Sequence, residues 1–167
     1  MISSLGIDRL IIGTFLVMTI WLSIIDWKYM ILPTKIIYFG LVIGIVEYMI
    51  KAILQREWAI FCFAAIGGVI GYGTFALFFY GSKWILKKEG MGYGDVRLMG
   101  LVGLFVGVKQ LGLVILIATI SASIYGLILL KIKRESTPYP FGPFLSIGGS
   151  ITLIWGTQII DRYMNLL

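Results

Sequence analysis

Long, continuous apolar runs dominate the chain and predict its architecture. There are six such runs: Leu10–Ile25, Ile36–Ile50, Trp58–Tyr80, Val96–Val108, Leu111–Leu130 and Phe141–Ile160. A membrane-spanning helix needs about 20 mostly apolar residues, which several runs supply alone or with their flanks. Because the runs are continuous rather than alternating, they favour helices over a β-barrel. We therefore expect an all-α polytopic membrane protein with six transmembrane helices, in which residues 1–167 form a single membrane-embedded domain.

The fourth run is the shortest and is too short to span the membrane as a straight helix. Val96–Val108 would form a helix of about 20 Å at 1.5 Å per residue, against a hydrocarbon core of about 30 Å. Joining it to the fifth run would give a helix of about 52 Å, far longer than the membrane is thick. The polar pair Lys109-Gln110 marks a break between the two runs. We therefore expect two helices, the first of which begins below the membrane surface with Asp95 at its start.

Charge predicts the orientation of this bundle. The net charge is +6, but the cations lie in short loops between apolar runs, a pattern of topology signals rather than of a nucleic-acid groove. Loops one, three and five carry nine cations, whereas the other loops and the termini carry five. The nine are Lys28, Lys35, Lys83, Lys87, Lys88, Arg97, Lys131, Lys133 and Arg134. The positive-inside rule places these three loops in the cytoplasm and both termini outside.

Composition narrows the chemistry to a few side chains. The chain contains no histidine, which removes the commonest general base and every Ser-His or Cys-His mechanism. Its single cysteine, Cys62, lies in an apolar run and is expected to be a buried structural thiol. We expect no metal and no cofactor. Carboxylates, lysines and hydroxyls remain as candidate catalytic groups.

Two aspartates lie at predicted helix ends on the cytoplasmic side. Asp26 ends the first apolar run, and ionisable residues at membrane depth are rare and usually functional. Asp95 follows a glycine-rich stretch, residues 90–94, whose backbone permits close approach of another chain. Simpler interpretations remain open: Asp26 could pair with Lys28 or Lys35, and Asp95 could cap the fourth helix.

The two aspartates together predict more than either one alone. Like charges held close cannot both ionise readily, so one pKa rises and the two carboxyl groups share a proton. Such a dyad can activate water while polarising a scissile carbonyl. Residues 26 and 95 are distant in sequence, so only the fold can bring them together.

Two other features of the sequence are weaker indications of function than the aspartates. Three prolines in Pro138–Phe144 favour extended backbone, either as the start of the sixth helix or as an edge that holds an extended substrate. Glu47 is expected to pair with Lys51 one turn later.

Three segments in order resemble the signatures of type IV prepilin peptidases, which are GxGD-type intramembrane aspartic proteases. They are Asp26-Trp-Lys-Tyr-Met-Ile-Leu-Pro33, Met91-Gly-Tyr-Gly-Asp95-Val-Arg-Leu98 and Tyr139-Pro-Phe-Gly-Pro-Phe-Leu145. The resemblance covers nearly the whole chain. It implies a fold of membrane helices whose catalytic residues are Asp26 and Asp95.

The resemblance also implies a substrate and a location. The substrates would be prepilins or pseudopilins, cut after a Gly at the cytoplasmic face of the inner membrane. The lipid bilayer is a further expected partner, a second copy of the chain is an open alternative, and no nucleic acid is expected. Residues expected to bind substrate or shape the surrounding loops are Pro33, Gly92, Gly94, Arg97, Pro140, Phe141, Gly142 and Pro143. Glu89 is the expected contact for a basic leader peptide.

The chain departs from the family pattern at three places. Thr34 follows Pro33 where the family often has Asp or Asn, and Arg97 stands where Lys is usual. Only nine residues precede the first apolar run, and the sequence has no CxxC pair. We therefore do not expect this chain to N-methylate the new pilin terminus, as longer bacterial members do.

Two alternatives from other classes remain. A small proton or cation transporter would also use membrane aspartates, although it would place them near the midplane. A non-catalytic assembly subunit of a pilus or secretion system would tolerate replacement of both aspartates.

Overall fold

A computed structural model describes residues 4–87, 92–133 and 138–165. In these ranges the chain forms six α-helices, one short 3-10 turn (Val108–Gln110) and no strand. The helices are α1 (Ser4–Tyr29), α2 (Thr34–Gln55), α3 (Trp58–Leu86), α4 (Tyr93–Val106), α5 (Leu111–Lys133) and α6 (Gly142–Met164). The prediction of an all-helical, multi-helix membrane fold is confirmed.

Five of the six helices are long and apolar enough to cross a membrane, namely α1, α2, α3, α5 and α6. Helix α4 has 14 residues and is not among them. The number of helices equals the number of apolar runs. Six complete spans and the side that each terminus faces stay predictions.

Helix α4 forms the centre of the bundle. It packs against α2, α3 and α6, and every residue from Leu98 to Val106 is buried. The Phe105 ring lies 5.1 Å from that of Phe15 on α1, and the Phe105 carbonyl accepts a hydrogen bond from the Tyr48 hydroxyl on α2. Because neighbouring helices surround α4, its length does not have to match the thickness of the bilayer.

Helices α3 and α4 pack backbone against backbone. A Cβ atom added at Gly71 would lie 2.6 Å from the Met99 carbonyl oxygen, and one added at Gly67 would clash with the Gly103 carbonyl. Small residues allow such contact, and membrane helix interfaces are rich in them. Glycines on both helices therefore set how closely α3 approaches the central helix.

The break between the fourth and fifth apolar runs falls where the sequence predicts it. Gly107 has φ of 79°, a left-handed conformation that glycine adopts readily, and ends α4. The 3-10 turn then leads into α5, which begins at Leu111. The prediction of two separate helices here is confirmed.

The predicted ion pair between Glu47 and Lys51 is wrong. Lys51 Nζ instead lies 2.7 Å from Asp8 Oδ1 on α1. Glu47 is buried, and its Oε1 accepts a hydrogen bond of 2.7 Å from the Thr14 hydroxyl. The helical spacing brings Glu47 and Lys51 close, but the rotation of α2 turns both side chains towards partners on α1.

The expectation of a buried thiol at Cys62 is also wrong. Cys62 is exposed on the surface of α3, because the helix turns this position away from its neighbours in the bundle.

The contact between α3 and α4 predicts opposite behaviour for two neighbouring glycines. Gly71→Ala should lower the free energy of unfolding by about 1–3 kcal/mol, because the new methyl group meets the backbone of α4. Gly73→Ala is the matched control, since a Cβ there meets nothing within 4 Å and alanine is the better helix former. Denaturant titration in detergent micelles measures both. Equal effects of the two variants would contradict this packing.

Candidate active site

A cavity of about 840 Å³ opens where α1 ends and where α4 and α6 begin. Both Asp26 and Asp95 line it. The other lining residues are Met30, Ile31, Leu32, Thr34, Gly92, Tyr93, Gly94, Arg97, Tyr139, Pro140 and Phe141. All three segments that the sequence singled out therefore meet at one place.

Asp26 lies in the last turn of α1 and is buried. The helix ends at Tyr29 because Met30 takes a left-handed conformation (φ 52°), and the Met30 N–H donates to the Asp26 carbonyl at 2.8 Å. The carboxylate Oδ2 accepts a hydrogen bond of 3.0 Å from the Gly142 N–H at the start of α6. A Cβ at Gly142 would lie 2.5 Å from this oxygen, so glycine permits the approach.

The simpler interpretation of Asp26 fails in the part of the chain that the structure describes. Neither Lys28 nor Lys35 forms an ion pair with Asp26 there. Its carboxylate points into the protein, towards α6, rather than outward to the loop cations. Asp26 is therefore a buried carboxylate held by a backbone amide.

Asp95 lies inside the first turn of α4 and is also buried. Gly92 is the N-cap of this helix, and the Asp95 N–H donates to the Gly92 carbonyl at 3.1 Å. Asp95 therefore does not cap the helix, contrary to the simpler interpretation. The positive end of the helix dipole is a favourable place for its charge, whereas Asp26 sits at the negative end of α1.

Burial dominates the electrostatics of Asp95. Loss of water around the carboxyl group, and in second place the nearby charge of Asp26, raise the pKa of Asp95 to about 7. A backbone hydrogen bond from Gly92 acts in the opposite direction. Near neutral pH the site can therefore hold a proton on a carboxyl group beside a second carboxylate.

Leu32 is the residue around which the three segments pack. A Cβ at Gly94 would lie 2.8 Å from Leu32 Cβ, and one at Gly142 would lie 3.4 Å from Leu32 Cδ1. The two glycines therefore let α4 and α6 begin close to the short connection between α1 and α2. Leu32 was not among the predicted site residues. The feature that could have indicated it is its position in the short connection between α1 and α2, directly before Pro33.

Arg97 connects α4 to the start of α2. Its Nη1 donates to the Thr34 hydroxyl, and its guanidinium lies 4.5 Å from the centre of the Tyr93 ring. Thr34 and Arg97 are two of the three departures from the resembled pattern noted in the sequence, and they contact each other. Tyr93 and Thr34 were not predicted as site residues, although both adjoin residues that were.

The third segment is fixed from two sides. The Tyr139 hydroxyl donates to the Ala122 carbonyl of α5 at 3.1 Å. The Phe141 ring lies 6.4 Å from the Phe75 ring of α3. These contacts anchor the residues on both sides of Pro140, and Tyr139, Pro140 and Phe141 all line the cavity.

The predicted site residues divide into two groups. Those that line the cavity are Asp26, Gly92, Gly94, Asp95, Arg97, Pro140 and Phe141. Pro33, Gly142 and Pro143 do not line it. Pro33 is the N-cap of α2, and Pro143 lies in the first turn of α6. The Gly142 N–H donates a hydrogen bond to the Asp26 carboxylate. Glu89, the expected leader contact, lies outside the described residues. So do Gly90 and Met91 of the glycine-rich stretch.

Asp26 and Asp95 line one cavity, and the charge of Asp26 acts on the carboxyl group of Asp95. Among the described residues, no three side chains of His, Cys, Asp or Glu come together in a way that could hold a metal ion. The open cavity leaves both aspartates accessible to a ligand.

Comparison with known proteins finds relatives that match most of the chain. Residues 13–127, which include both aspartates, match the type IV leader peptidase family. A prepilin leader peptidase/N-methyltransferase of Pseudomonas putida is 36% identical over 149 residues, which cover 87% of this chain and 50% of that protein. A protein of the same name from Xanthomonas campestris is 30% identical over 162 residues, or 96% of this chain and 54% of that protein. The chain thus spans about half the length of the curated relatives it matches. No solved structure matches it.

The electrostatic coupling in the cavity is directly measurable. Asp26→Asn should lower the pKa of Asp95 below about 7, because it removes the neighbouring charge, while burial keeps this pKa above that of an exposed aspartate. Carboxyl ¹³C chemical shifts of labelled aspartate, followed over pH in micelles, report the change. Asp161→Asn on the exposed part of α6 is the control and should leave the Asp95 titration unchanged. An Asp95 pKa that stays the same in Asp26→Asn would contradict the coupling.

Proposed function

Because the chain belongs to the type IV leader peptidase family, we propose that it is a membrane-embedded aspartic endopeptidase that removes the leader peptide from type IV prepilins or pseudopilins. The observation that carries this proposal is the meeting of Asp26 and Asp95 in one cavity, although 69 positions separate them in the sequence. Both carboxyl groups are buried, which favours a shared proton. The family match supports the reaction class.

The two carboxyl groups have different roles in the proposed reaction. Asp95 carries the proton near neutral pH and donates a hydrogen bond to the scissile carbonyl oxygen. Asp26 accepts a proton from water as the water oxygen bonds to the carbonyl carbon. The tetrahedral intermediate collapses when its C–N bond breaks and a carboxyl proton passes to the leaving amine. No covalent enzyme intermediate is needed.

The remaining site residues support the substrate backbone. Gly92, where an added Cβ would meet only Asp95 Oδ2 at 3.3 Å, lets an extended segment approach Asp95. Gly94 packs against Leu32 and so fixes the start of α4, and Pro140 and Phe141 form a further wall of the cavity. Arg97 holds the start of α4 against α2. The other three predicted residues, Pro33, Gly142 and Pro143, shape the helix starts from outside the cavity.

We also propose the placement of the site in the inner membrane. The six helices form six membrane passes, with α4 as a short interior one, and both termini face away from the cytoplasm. The cation-rich loops then place the cavity at the cytoplasmic face. A prepilin would be cut there after a Gly, with its leader peptide in the cytoplasm.

The proposal is tested by replacing each aspartate with its uncharged isostere. With prepilin as substrate in proteoliposomes, Asp26→Asn and Asp95→Asn should each lower the cleavage rate by about 100-fold or more, the contribution expected of positioned acid–base groups. Asp161→Asn is the matched control and should cleave like the unmodified chain.

Other outcomes of the same experiment separate the alternatives. If either active-site variant cut prepilin within a few-fold of the unmodified chain, the dyad mechanism would be wrong. Aspartate-dependent proton or cation flux without cleavage would identify a transporter instead. Prepilin processing in cells that survives both replacements would point to an assembly subunit.

The proton on Asp95 predicts the pH dependence of the cleavage. Since the pKa of Asp95 is about 7, the group is protonated below this pH and loses its proton above it. The value of kcat/KM should therefore fall as the pH rises through about 7. Initial rates at fixed ionic strength over pH 5–9 measure this, because the range brackets that value. A rate that kept rising to the alkaline end would contradict the assigned roles.

A further inference from the structure

A second depression lies beside the cavity, between α2 and α3 and above α4. It encloses about 380 Å³ and is here called the α2–α3 groove. Its lining residues are Tyr38, Leu41, Ile45, Phe61, Ala65, Gly68, Val69, Tyr72, Arg97, Gly100 and Leu104. Arg97 is the only charged residue among them. The groove is therefore almost wholly apolar and lies on helices that face the membrane.

The lining follows the faces of three helices. On α3 the lining positions run from Phe61 to Tyr72, a rise of about 16 Å at 1.5 Å per residue, or three helical turns. Gly100 and Leu104 of α4 form the floor. Val69 is 73% exposed and Ile45 is 42% exposed, so both walls are accessible to another molecule. The groove is long enough for several turns of an apolar helix.

The groove and the catalytic cavity lie next to each other at one end. Arg97 lines both of them. The Tyr72 hydroxyl of the groove and the Tyr93 hydroxyl of the cavity lie 2.7 Å apart in a hydrogen bond. The polar groups are thus collected at the cavity end, and the rest of the groove is apolar. A bound peptide would match this lining if its backbone were extended at the polar end, beside the cavity, and helical along the apolar rest of the groove.

A groove between α1 and α6 offers a comparison. It encloses about 320 Å³ and is lined by residues such as Ile20, Ser23, Pro143 and Ser146. Within the described parts of the chain, it shares no lining residue with the catalytic cavity. Of these two grooves, only the one between α2 and α3 has a described lining residue in common with the catalytic cavity.

We propose that the α2–α3 groove binds the apolar membrane segment of the substrate and delivers its adjoining peptide bond to Asp26 and Asp95. This inference rests on the proposed function, because a protease acting within a membrane must receive its substrate from the bilayer. A substrate helix seated along the groove makes van der Waals contacts with both walls, and these contacts fix the register of the chain at the cavity. Binding here sets the affinity for substrate, and the chemical step remains with the two aspartates.

The kinetic test blocks the groove from each wall in turn. Val69→Trp on α3 and Ile45→Trp on α2 should each raise the KM for membrane-embedded prepilin by about tenfold, with kcat unchanged, because the indole occupies the groove and removes packing contacts of the substrate helix. Leu77→Trp is the matched control, since Leu77 is 74% exposed on α3 but lines no described groove. It should retain the KM of the unmodified chain. Unchanged KM values for both groove variants, or a loss confined to kcat, would overturn the inference.

A cross-linking test does not depend on turnover. A benzophenone amino acid placed at position 69 or 77 of the Asp95→Asn chain is irradiated with prepilin in proteoliposomes. Position 69 should capture prepilin, and position 77 should not. Capture at position 69 of lipid alone, or of a second copy of this chain alone, would overturn the inference.

The two proposals fail in different ways. If the unmodified chain cuts no prepilin at all, the proposed function fails and the groove assignment fails with it. If the unmodified chain cuts prepilin while the groove variants behave like Leu77→Trp, the protease stands and only the docking site is wrong.

Discussion

The close packing of α3 against α4 is the constraint on which the rest of this structure depends. Gly71 and Gly103 remove the side chains that would separate the two helices, and the carbonyl groups of each helix lie against the backbone of the other. This contact places a short helix of 14 residues in the middle of the bundle. Since α4 is surrounded by protein, it can start well inside the fold, and its first turn carries Asp95 to the cavity.

The two carboxyl groups reach that cavity from opposite ends of helices. Asp26 is in the last turn of α1, where the helix dipole disfavours negative charge, and a backbone amide of α6 compensates. Asp95 is in the first turn of α4, where the dipole favours charge, but burial raises its pKa to about 7. The site therefore combines a fixed hydrogen-bond acceptor with a group that keeps its proton near neutral pH. This difference between the two environments underlies the proposed division of roles.

Much of this arrangement was predictable because it depends on local sequence. The continuous apolar runs predicted six helices, and the polar residues at 109–110 predicted the break after α4. Helix ends on one side of a membrane lie near one another, so Asp26, Asp95 and Pro140 could be assigned to one site. The fourth apolar run was also too short to cross the membrane, which indicated that α4 begins below the membrane surface.

The remaining features depend on how the helices rotate and pack, which the sequence does not record. The partner of Asp26 is the amide of Gly142, 116 positions away, and the contact of Arg97 with Thr34 joins two different helices. Leu32 acquires its central place only because two glycines approach it. Lys51 was assigned to Glu47 from helical spacing, but it reaches Asp8 on a neighbouring helix.

The central claim is that Asp26 and Asp95 act as one unit on one water molecule. The most direct measurement compares the prepilin cleavage rate of Asp26→Asn, Asp95→Asn and the double variant under single-turnover conditions. Groups that act together lose their function together, so the double variant should be no slower than the slower single variant. If the two effects multiplied in the double variant, the aspartates would contribute independently and the account of a shared dyad would be contradicted.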